Sequence, residues 1–217
     1  MPEQNPNHRN SYAMPVILVI VLLVLGGGGY FLWSSFSTPE PEPAPPEPVQ
    51  QQPVNTDQTF ASTTMRISVT YPQNFTLDSA YANTSVSPTK PILGVKFSVP
   101  VEMTTGTNLS PDSGISVEQL PRASLCTGDI YLAANVARRE VTEGTVMYSL
   151  ATSSEGAAGN FFEEMVYALS SSTPCTAVRY FIHTTNVENY ATGTVREFDR
   201  AAVIAAFDKI RRSLVMQ

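Results

Sequence analysis

Residues 176–184 read TAVRYFIHT, and this run of β-branched and aromatic residues predicts a strand inside a sheet. Residues 65–71 read MRISVTY, in which apolar and polar residues alternate with period two until Pro72 ends the run. Such alternation places one face of a strand against a core and leaves the other wetter, which is typical of antiparallel pairing. We therefore expect an antiparallel sheet to be the central feature of the fold.

Further strand signals follow between and beyond these two stretches. Alternation in 93–99 places Leu93, Val95, Phe97 and Val99 on one face. Shorter strands are predicted around Ile115 to Val117 and around Val146 to Leu150, the latter after the turn signal at Glu143-Gly144. Between these two strands the sequence also allows a short helix around 128–136, with Thr127 as its cap.

Residues 160–169, NFFEEMVYAL, fit two interpretations. Asn160 and Glu163 match a helix capping box, and the apolar residues fit helical spacing. As a strand, the segment pairs with 176–184 through a short loop, and the shortness of that loop favours the hairpin.

The last 19 residues predict an amphipathic helix. Asp199 is a suitable N-cap, and cationic residues near the helix end face the negative pole of the helix dipole. The apolar stripe consists of Val203, Ile204, Phe207, Ile210 and Leu214. Strands followed by a helix predict an α+β fold, mainly an antiparallel sheet packed by this C-terminal helix.

Composition excludes several classes of protein. The chain has 217 residues, 42% hydrophobic, 15% charged, and a formal net charge of −6. That length suits one ordinary domain with accessory segments, and the acidic balance argues against binding to nucleic acid. Two cysteines exclude a disulfide-rich miniprotein and a multi-cysteine metal site. No phosphate-binding loop, dinucleotide fingerprint or nucleophile elbow occurs in the sequence, so we expect neither a cofactor nor a metal.

The N-terminal residues predict a membrane anchor. Residues 13–33 read AMPVILVIVLLVLGGGGYFLW, without a charge, and would span roughly 31 Å as a helix. Arg9 precedes the stretch, and no Lys or Arg follows until Arg66. Positively charged flanks stay in the cytoplasm, so this pattern predicts a signal-anchor with a cytoplasmic tail, residues 1–12, and the rest outside. A cleaved signal peptide with its apolar core at 14–25 is the alternative.

Residues 34–59 predict a spacer between membrane and domain. The central part, 39–53, reads PEPEPAPPEPVQQQP, with seven prolines in 15 residues. Proline removes a backbone donor and restricts φ, so we expect an extended polyproline II stand-off, with loop continuing through 55–63. The folded, extracytoplasmic α+β domain is then predicted to occupy residues 60–217.

The sequence resembles PsbP-like extracytoplasmic domains in two places. One is the end of the first strand, Tyr71-Pro72-Gln73-Asn74-Phe75, and the other is the closing segment from Phe207-Asp208-Lys209-Ile210 to Leu214. The resemblance implies a central antiparallel sheet with helices on its faces. It also implies a binding or assembly-factor role rather than an enzyme, because that family has no shared catalytic set.

Cys126 and Cys175 are the strongest candidate pair for chemistry. Outside the cytoplasm both would meet an oxidising environment, and we expect a disulfide between them. The alternative is a pair of reduced, buried cysteines, which would accompany the opposite orientation. Neither a C-x-x-C motif nor a clustered ligand supports a redox or metal role.

The best candidate for a ligand-binding surface is the stretch 184–199, TTNVENYATGTVREFD, which joins the last long strand to the last helix. Loops in this position often carry function. Its donors and aromatic ring are Asn186, Asn189, Tyr190 and Arg196. His183, the only histidine of the folded domain, precedes them and alternates with Phe181 on the predicted strand, sharing the wetter face with Arg179.

The sequence favours a single-pass, membrane-anchored, extracytoplasmic domain that binds a protein partner of the cell envelope. The alternative is an envelope hydrolase whose active site the linear sequence does not reveal. A deep pocket that gathers His183 with two carboxylates would favour the hydrolase, whereas a shallow apolar patch would favour binding.

Overall fold

The computed structural model describes residues 57–217 of the chain. β-Strands are the main regular element of these residues, and they pair in two antiparallel sheets. The strands are β1 (Asp57–Ser62), β2 (Ile67–Pro72), β3 (Thr76–Asp78), β4 (Ala82–Asn83), β5 (Ile92–Ser98), β6 (Gly114–Leu120), β7 (Arg138–Glu143), β8 (Val146–Ala157), β9 (Asn160–Leu169), β10 (Cys175–Thr185) and β11 (Val215–Met216). The helices are α1 (Val101–Thr104) and α2 (Arg200–Arg212), with 3₁₀ turns at Gly128–Tyr131 and Val187–Asn189.

The larger sheet has the strand order β3-β5-β6-β10-β9-β8-β7, and β4 also pairs with β5. The smaller sheet has the order β1-β2-β11. In the larger sheet β10 is central, with Val178 opposite Val117 of β6 and Tyr167 of β9. Hairpins connect β7 with β8 and β8 with β9, which is the simplest way to join antiparallel neighbours.

The main core lies between the larger sheet and α2, with β2 of the smaller sheet also packed against it. Asp199 caps α2 as predicted, because its Oδ1 accepts a hydrogen bond from the Ala202 N–H at 2.9 Å. Val203, Phe207 and Ile210 are buried on the helix stripe. Burial of each such side chain stabilises the fold by about 1.5–3 kcal/mol.

Residues 121–137 cover part of the opposite face of the larger sheet. The predicted disulfide is confirmed, since Cys126 and Cys175 are bonded with their Cα atoms 5.0 Å apart. Tyr131 is fully buried beside this bond and donates its hydroxyl to the Cys175 carbonyl at 2.8 Å. The disulfide therefore ties the covering segment to the first residue of β10.

Most of the strand predictions are confirmed, including that of 160–169, which is β9 and not a helix. Leu93 was predicted to share the core-facing side of β5 with Val95, but it lies beyond the edge of the core and is 64% exposed. Its neighbour Ile92 is buried on the other face of the sheet. Residues 57–62 form β1 where loop was predicted, and 128–136 contains only the 3₁₀ turn. Long-range contacts decide the conformation in both places. Residues 57–62 pair with β2, and the disulfide holds the segment that contains the 3₁₀ turn.

The predicted fold class included a transmembrane helix, and this part of the prediction is wrong. None of the helices within residues 57–217 is long and apolar enough to cross a membrane. The longest, α2, has 13 residues with cations in its last turn, whereas a span needs about 20 predominantly apolar residues. This finding contradicts the membrane and signal-anchor assignments. The segment on which they depended, 13–33, lies outside the described residues, as do 1–12 and the proline-rich 39–53.

Candidate functional site

Two loops, 106–113 and 186–199, and one turn meet at the end of the larger sheet where β10 finishes. His183 is near that end, and its neighbour across the ladder is Phe162 of β9. The turn between β8 and β9 lies next to it, and residues 106–113 approach from the other side, where Leu109 bridges Thr184. This end of the sheet contains the sequence-predicted candidates, and we refer to it as the β10 end.

His183 is held by a carboxylate and an amide. Its Nδ1 lies 2.9 Å from Asp112 Oδ1, and its Nε2 lies 3.0 Å from Asn160 Oδ1. The Asn160 Nδ2 points instead towards the Ala157 carbonyl, at 3.5 Å. Both ring nitrogens of His183 are thus in contact with side chains of the protein.

The His183 ring is also fixed by stacking. It stacks on Phe162 with ring centres 4.4 Å apart, and Phe162 in turn stacks on Phe181 at 6.2 Å. The ammonium of Lys96 lies 5.4 Å from the centre of the Phe181 ring and donates to the Asp112 carbonyl at 2.6 Å. The result is an aromatic row along one face of the sheet, bordered by a cation.

Asp112 supplies the negative charge of this cluster. Burial raises the pKa of its carboxyl, but hydrogen bonds from Ser110 and His183 outweigh that effect and hold the pKa below its ordinary value. Burial lowers the pKa of the nearby Lys96 ammonium, an effect that the Asp112 charge opposes. The Asp112 side chain is 53% exposed, so the cluster meets solvent on its acidic side.

Asn186 and Asn189 hold the loop that follows β10 in place. Asn186 accepts a hydrogen bond from the Glu188 N–H at 3.1 Å, and its own N–H donates to the Gly159 carbonyl at 2.8 Å. Asn189 packs against Gly159, where a Cβ would lie 2.6 Å from Nδ2 and φ is +79°. Both asparagines therefore position the loop against the β8–β9 turn.

Tyr190 and Arg196 present side chains to solvent. Tyr190 is 41% exposed, and its hydroxyl lies 2.9 Å from Thr185 Oγ1. Arg196 has an exposed side chain, while its backbone N–H donates to the Gly106 carbonyl at 3.1 Å. The structure thus divides the predicted residues into three that hold the β10 end together, His183, Asn186 and Asn189, and two that extend from it.

Asn108 organises the loops, although the sequence did not single it out for this role. Its Nδ2 donates to the Thr185 carbonyl at 3.0 Å, and its Oδ1 accepts from the Phe198 N–H at 2.9 Å. Its backbone N–H also donates to the Arg196 carbonyl at 3.0 Å. No local pattern predicts these contacts, because the partners are about 80 to 90 residues further along the chain.

A buried ionic network lies further along the same face of the sheet. Arg179, 3% exposed, pairs with Glu164 and lies 3.7 Å from Glu118, which is fully buried. Burial raises the pKa of Glu118, although the Arg179 charge and hydrogen bonds from Ser116 and Asn83 oppose the rise. The sequence placed Arg179 on the wetter face, but the burial of this network shows that the face is dry at its centre.

Two cavities lie on opposite faces of the sheet near the β8–β9 turn. The larger, about 660 Å³, is lined by Phe161, Ile182 and Phe198, with Arg200 at its border. Phe161 is 53% exposed, and Arg200 pairs with Glu163 through a contact of 3.2 Å from Nε. The smaller, about 180 Å³, is bordered by Phe162, Phe181 and carboxylates.

The arrangement at the β10 end differs from the pocket of one histidine and two carboxylates that would favour a hydrolase. His183 meets one carboxylate rather than two, and it is not among the residues that line either cavity. Within residues 57–217, no group of three or more His, Cys, Asp or Glu side chains is arranged to hold a metal ion. An apolar cavity beside exposed aromatic and cationic side chains is suited to hold a ligand by packing and charge.

No family model and no curated protein matches this sequence. Solved structures with a similar backbone include a protein from Bacteroides thetaiotaomicron, with 10% identity, a TM-score of 0.41 and coverage of 75% of this chain. This chain spans about half of that protein, 49%. Another is cyanobacterial PsbP (CyanoP) from Synechocystis sp. PCC 6803, with 10% identity, a TM-score of 0.40 and coverage of 76% of this chain and 94% of that one. A PsbP protein is thus among the structural neighbours, in agreement with the weak resemblance in sequence.

Proposed function

We propose that residues 57–217 form a non-enzymatic domain that binds a protein partner through the β10 end. The observation that supports this most directly is the 660 Å³ cavity with apolar walls beside the half-exposed Phe161. Pockets of about 300–1,000 Å³ are typical ligand sites, and exposed aromatic rings next to them are typical of interfaces. In this proposal Tyr190 and Arg196 contact the partner.

Rigidity of the surface also supports a binding role. His183, Asn186 and Asn189 hold the loop against neighbouring turns, so little conformational entropy is lost when a partner docks on it. The hydrolase alternative requires a nucleophile or a metal with an available base, and both nitrogens of His183 are occupied.

We further propose that the domain works outside the cytoplasm, with a protein of the cell envelope as its partner. The disulfide between Cys126 and Cys175 supports an oxidising compartment, since such bonds are rare in the cytosol.

Site-specific photocrosslinking tests this function. A photoreactive phenylalanine analogue replaces Tyr190 in the full-length chain, and a control chain has it at Leu93, which is also exposed but belongs to β5. We expect one defined protein adduct from position 190 in intact cells and none of that mass from position 93. Identical adducts from both positions, or hydrolysis of an envelope polymer by the purified chain, would overturn the proposal.

A further inference from the structure

β8 continues beyond the end of its outer neighbour. Ala151 is the last residue of β8 that pairs with β7, opposite Arg138, whereas pairing with β9 continues to Ala157. Residues 152–157 are therefore paired on one side only within the described part of the chain. Alternate backbone N–H and C=O groups along this edge point away from β9, as they do at any antiparallel sheet edge.

The edge has little of the usual protection against strand pairing, since Glu155 is its one charged residue. Its sequence, Thr-Ser-Ser-Glu-Gly-Ala, has neither proline nor lysine, and the register with β9 runs from Thr152–Met165 to Ala157–Asn160 without a bulge. Exposed edges of this kind are the sites at which proteins accept an extended peptide as an additional strand.

The two cavities flank this edge, one on each face of the sheet. Ser154 and Gly156 share a face with Phe161 and line the larger cavity, which α2 borders through Arg200. Ser153 and Glu155 share the opposite face with Phe162 and Glu164 and line the smaller cavity. Ser153, Glu155 and Phe162 also border the larger cavity, which extends round the edge. An added strand would direct successive side chains alternately into the two cavities, because side chains alternate across a sheet with period two.

We propose that the edge 152–157 binds an extended segment of the partner protein in which large apolar residues alternate with Lys or Arg. This inference rests on the proposed function and specifies the partner sequence that the β10 end recognises. Backbone hydrogen bonds supply affinity in this mode, and the alternating cavities supply specificity.

The character of each cavity determines which side chain it accepts. The larger one has Phe161, Ile182 and Phe198 in its wall, and this apolar part suits a large apolar side chain. Charged side chains, those of Glu155, Glu163 and Arg200, line the rest of it. The smaller one combines Glu155 and Glu164 with the rings of Phe162 and Phe181. Carboxylates and aromatic faces both attract a cation. Arg179 is already shared between Glu164 and Glu118, and the exposed Glu155 adds a further negative charge at the border.

A second copy of this chain is a poor occupant of the edge. Paired with itself, the edge offers only Thr, Ser, Glu, Gly and Ala side chains to the cavities. None of these is large enough to fill the apolar part of the 660 Å³ cavity, and self-pairing would bring the Glu155 side chains of both copies to one edge. Like charges placed opposite each other are destabilising, so the charge pattern favours a basic segment from another protein.

Peptide binding to the full-length chain tests the proposal. The probe is an eight-residue peptide in which Phe alternates with Lys, and its control has the same composition with four Phe followed by four Lys. We expect the alternating peptide to bind at least tenfold more tightly. Its binding should also slow amide hydrogen exchange in residues 152–157 without changing exchange in β7.

Two variants with matched controls test the negative charge at the edge and the apolar wall of the larger cavity. Glu155→Lys should weaken binding of the alternating peptide at least tenfold, whereas Glu140→Lys, the same change on the exposed face of β7, should leave binding unchanged. Phe161→Ala should weaken it to a similar extent, whereas Leu93→Ala, also exposed, should not. Far-UV circular dichroism of each variant verifies that the sheet is intact.

Three results would overturn the inference. They are equal binding of both peptides, protection outside 152–157, and self-association of the chain that protects 152–157 without any peptide. Each can occur while the Tyr190 crosslink is still observed, and loss of that crosslink can occur while the peptide still binds. Failure of the edge proposal is thus distinguishable from failure of the proposed function.

Discussion

The Arg211 guanidinium lies over the ring of Tyr167, with its central carbon 4.2 Å from the ring centre. Its Nε donates to the Tyr180 hydroxyl at 2.8 Å, and its Nη2 donates to both oxygens of Glu143 at 2.9 and 3.1 Å. The side chain is 1% exposed. A charged residue of the last helical turn therefore joins α2 to β7 and to two aromatic residues of the larger sheet.

We predict that Arg211→Met destabilises the fold strongly. Removal of one partner of a buried ion pair leaves the others uncompensated, and the expected loss in the free energy of unfolding is about 3 kcal/mol. Arg212 is the matched control, since it also contacts Glu143, at 3.2 Å, but is 60% exposed. Arg212→Met should cost about 0.5 kcal/mol, as exposed ion pairs do. Urea unfolding followed by circular dichroism measures both, and equal losses would contradict a special role for Arg211.

Stability should fall in acid through Glu143. The hydrogen bond from Arg211 lowers the pKa of this carboxyl, which burial opposes and Arg212 reinforces. The folded state thus binds fewer protons than the unfolded state between the two pKa values. The stabilisation is present above the unfolded pKa, about 4.3, and is lost as pH falls through the lower folded pKa.

The test is the pH dependence of urea unfolding between pH 6 and pH 3 for the full chain and for Glu143→Gln. We expect the variant to be less stable at pH 6 and to lose less stability on acidification. A slope identical to that of the unmodified chain would show that Glu143 does not contribute to the acid dependence.

The buried network around Arg179 should behave as a coupled unit. Arg179→Met leaves the fully buried Glu118 without its counter-charge, at an expected cost of about 3–5 kcal/mol. In the double variant Arg179→Met/Glu118→Gln no buried charge remains at position 118, so part of the stability should return. A double-mutant cycle measures the coupling free energy, and losses that simply add would contradict it.

The disulfide should contribute substantially to stability. Cys126 and Cys175 are 49 residues apart in sequence, and closing a loop of that length contributes about 4 kcal/mol in the chain-entropy description. We predict that Cys126→Ala/Cys175→Ala lowers the free energy of unfolding by up to that amount, with the largest increase in amide exchange in residues 121–137. A reducing agent should reproduce the effect in the unmodified chain and leave the double variant unchanged, and any further loss in the variant would argue against the disulfide as the cause.

Patterns along the chain were sufficient to predict β2, β10 and α2. Alternation in 65–71, β-branched and aromatic enrichment in 176–184, and the capped apolar stripe after Asp199 each depend on neighbours a few residues apart. The disulfide was predicted because the chain has two cysteines and the domain was expected to lie in an oxidising compartment. For 160–169 the loop length favoured the hairpin, and the ladders with β8 and β10 confirm it.

The remaining features depend on contacts between residues far apart in sequence. The sequence placed Arg211 among the cations near the end of a helix, but it did not predict burial. Glu143, 68 residues earlier, and two tyrosines draw the side chain into the interior. Arg179 is buried because β6 and β9 bring Glu118 and Glu164 to it.

The sequence thus specified which segments extend or coil, because backbone propensity and amphipathic periodicity are local properties. Only the folded chain decided which polar groups are buried together, where His183 is fixed, and where β8 is left without an outer neighbour. Pairing and desolvation require that distant segments meet, and no pattern along a single strand contains that information.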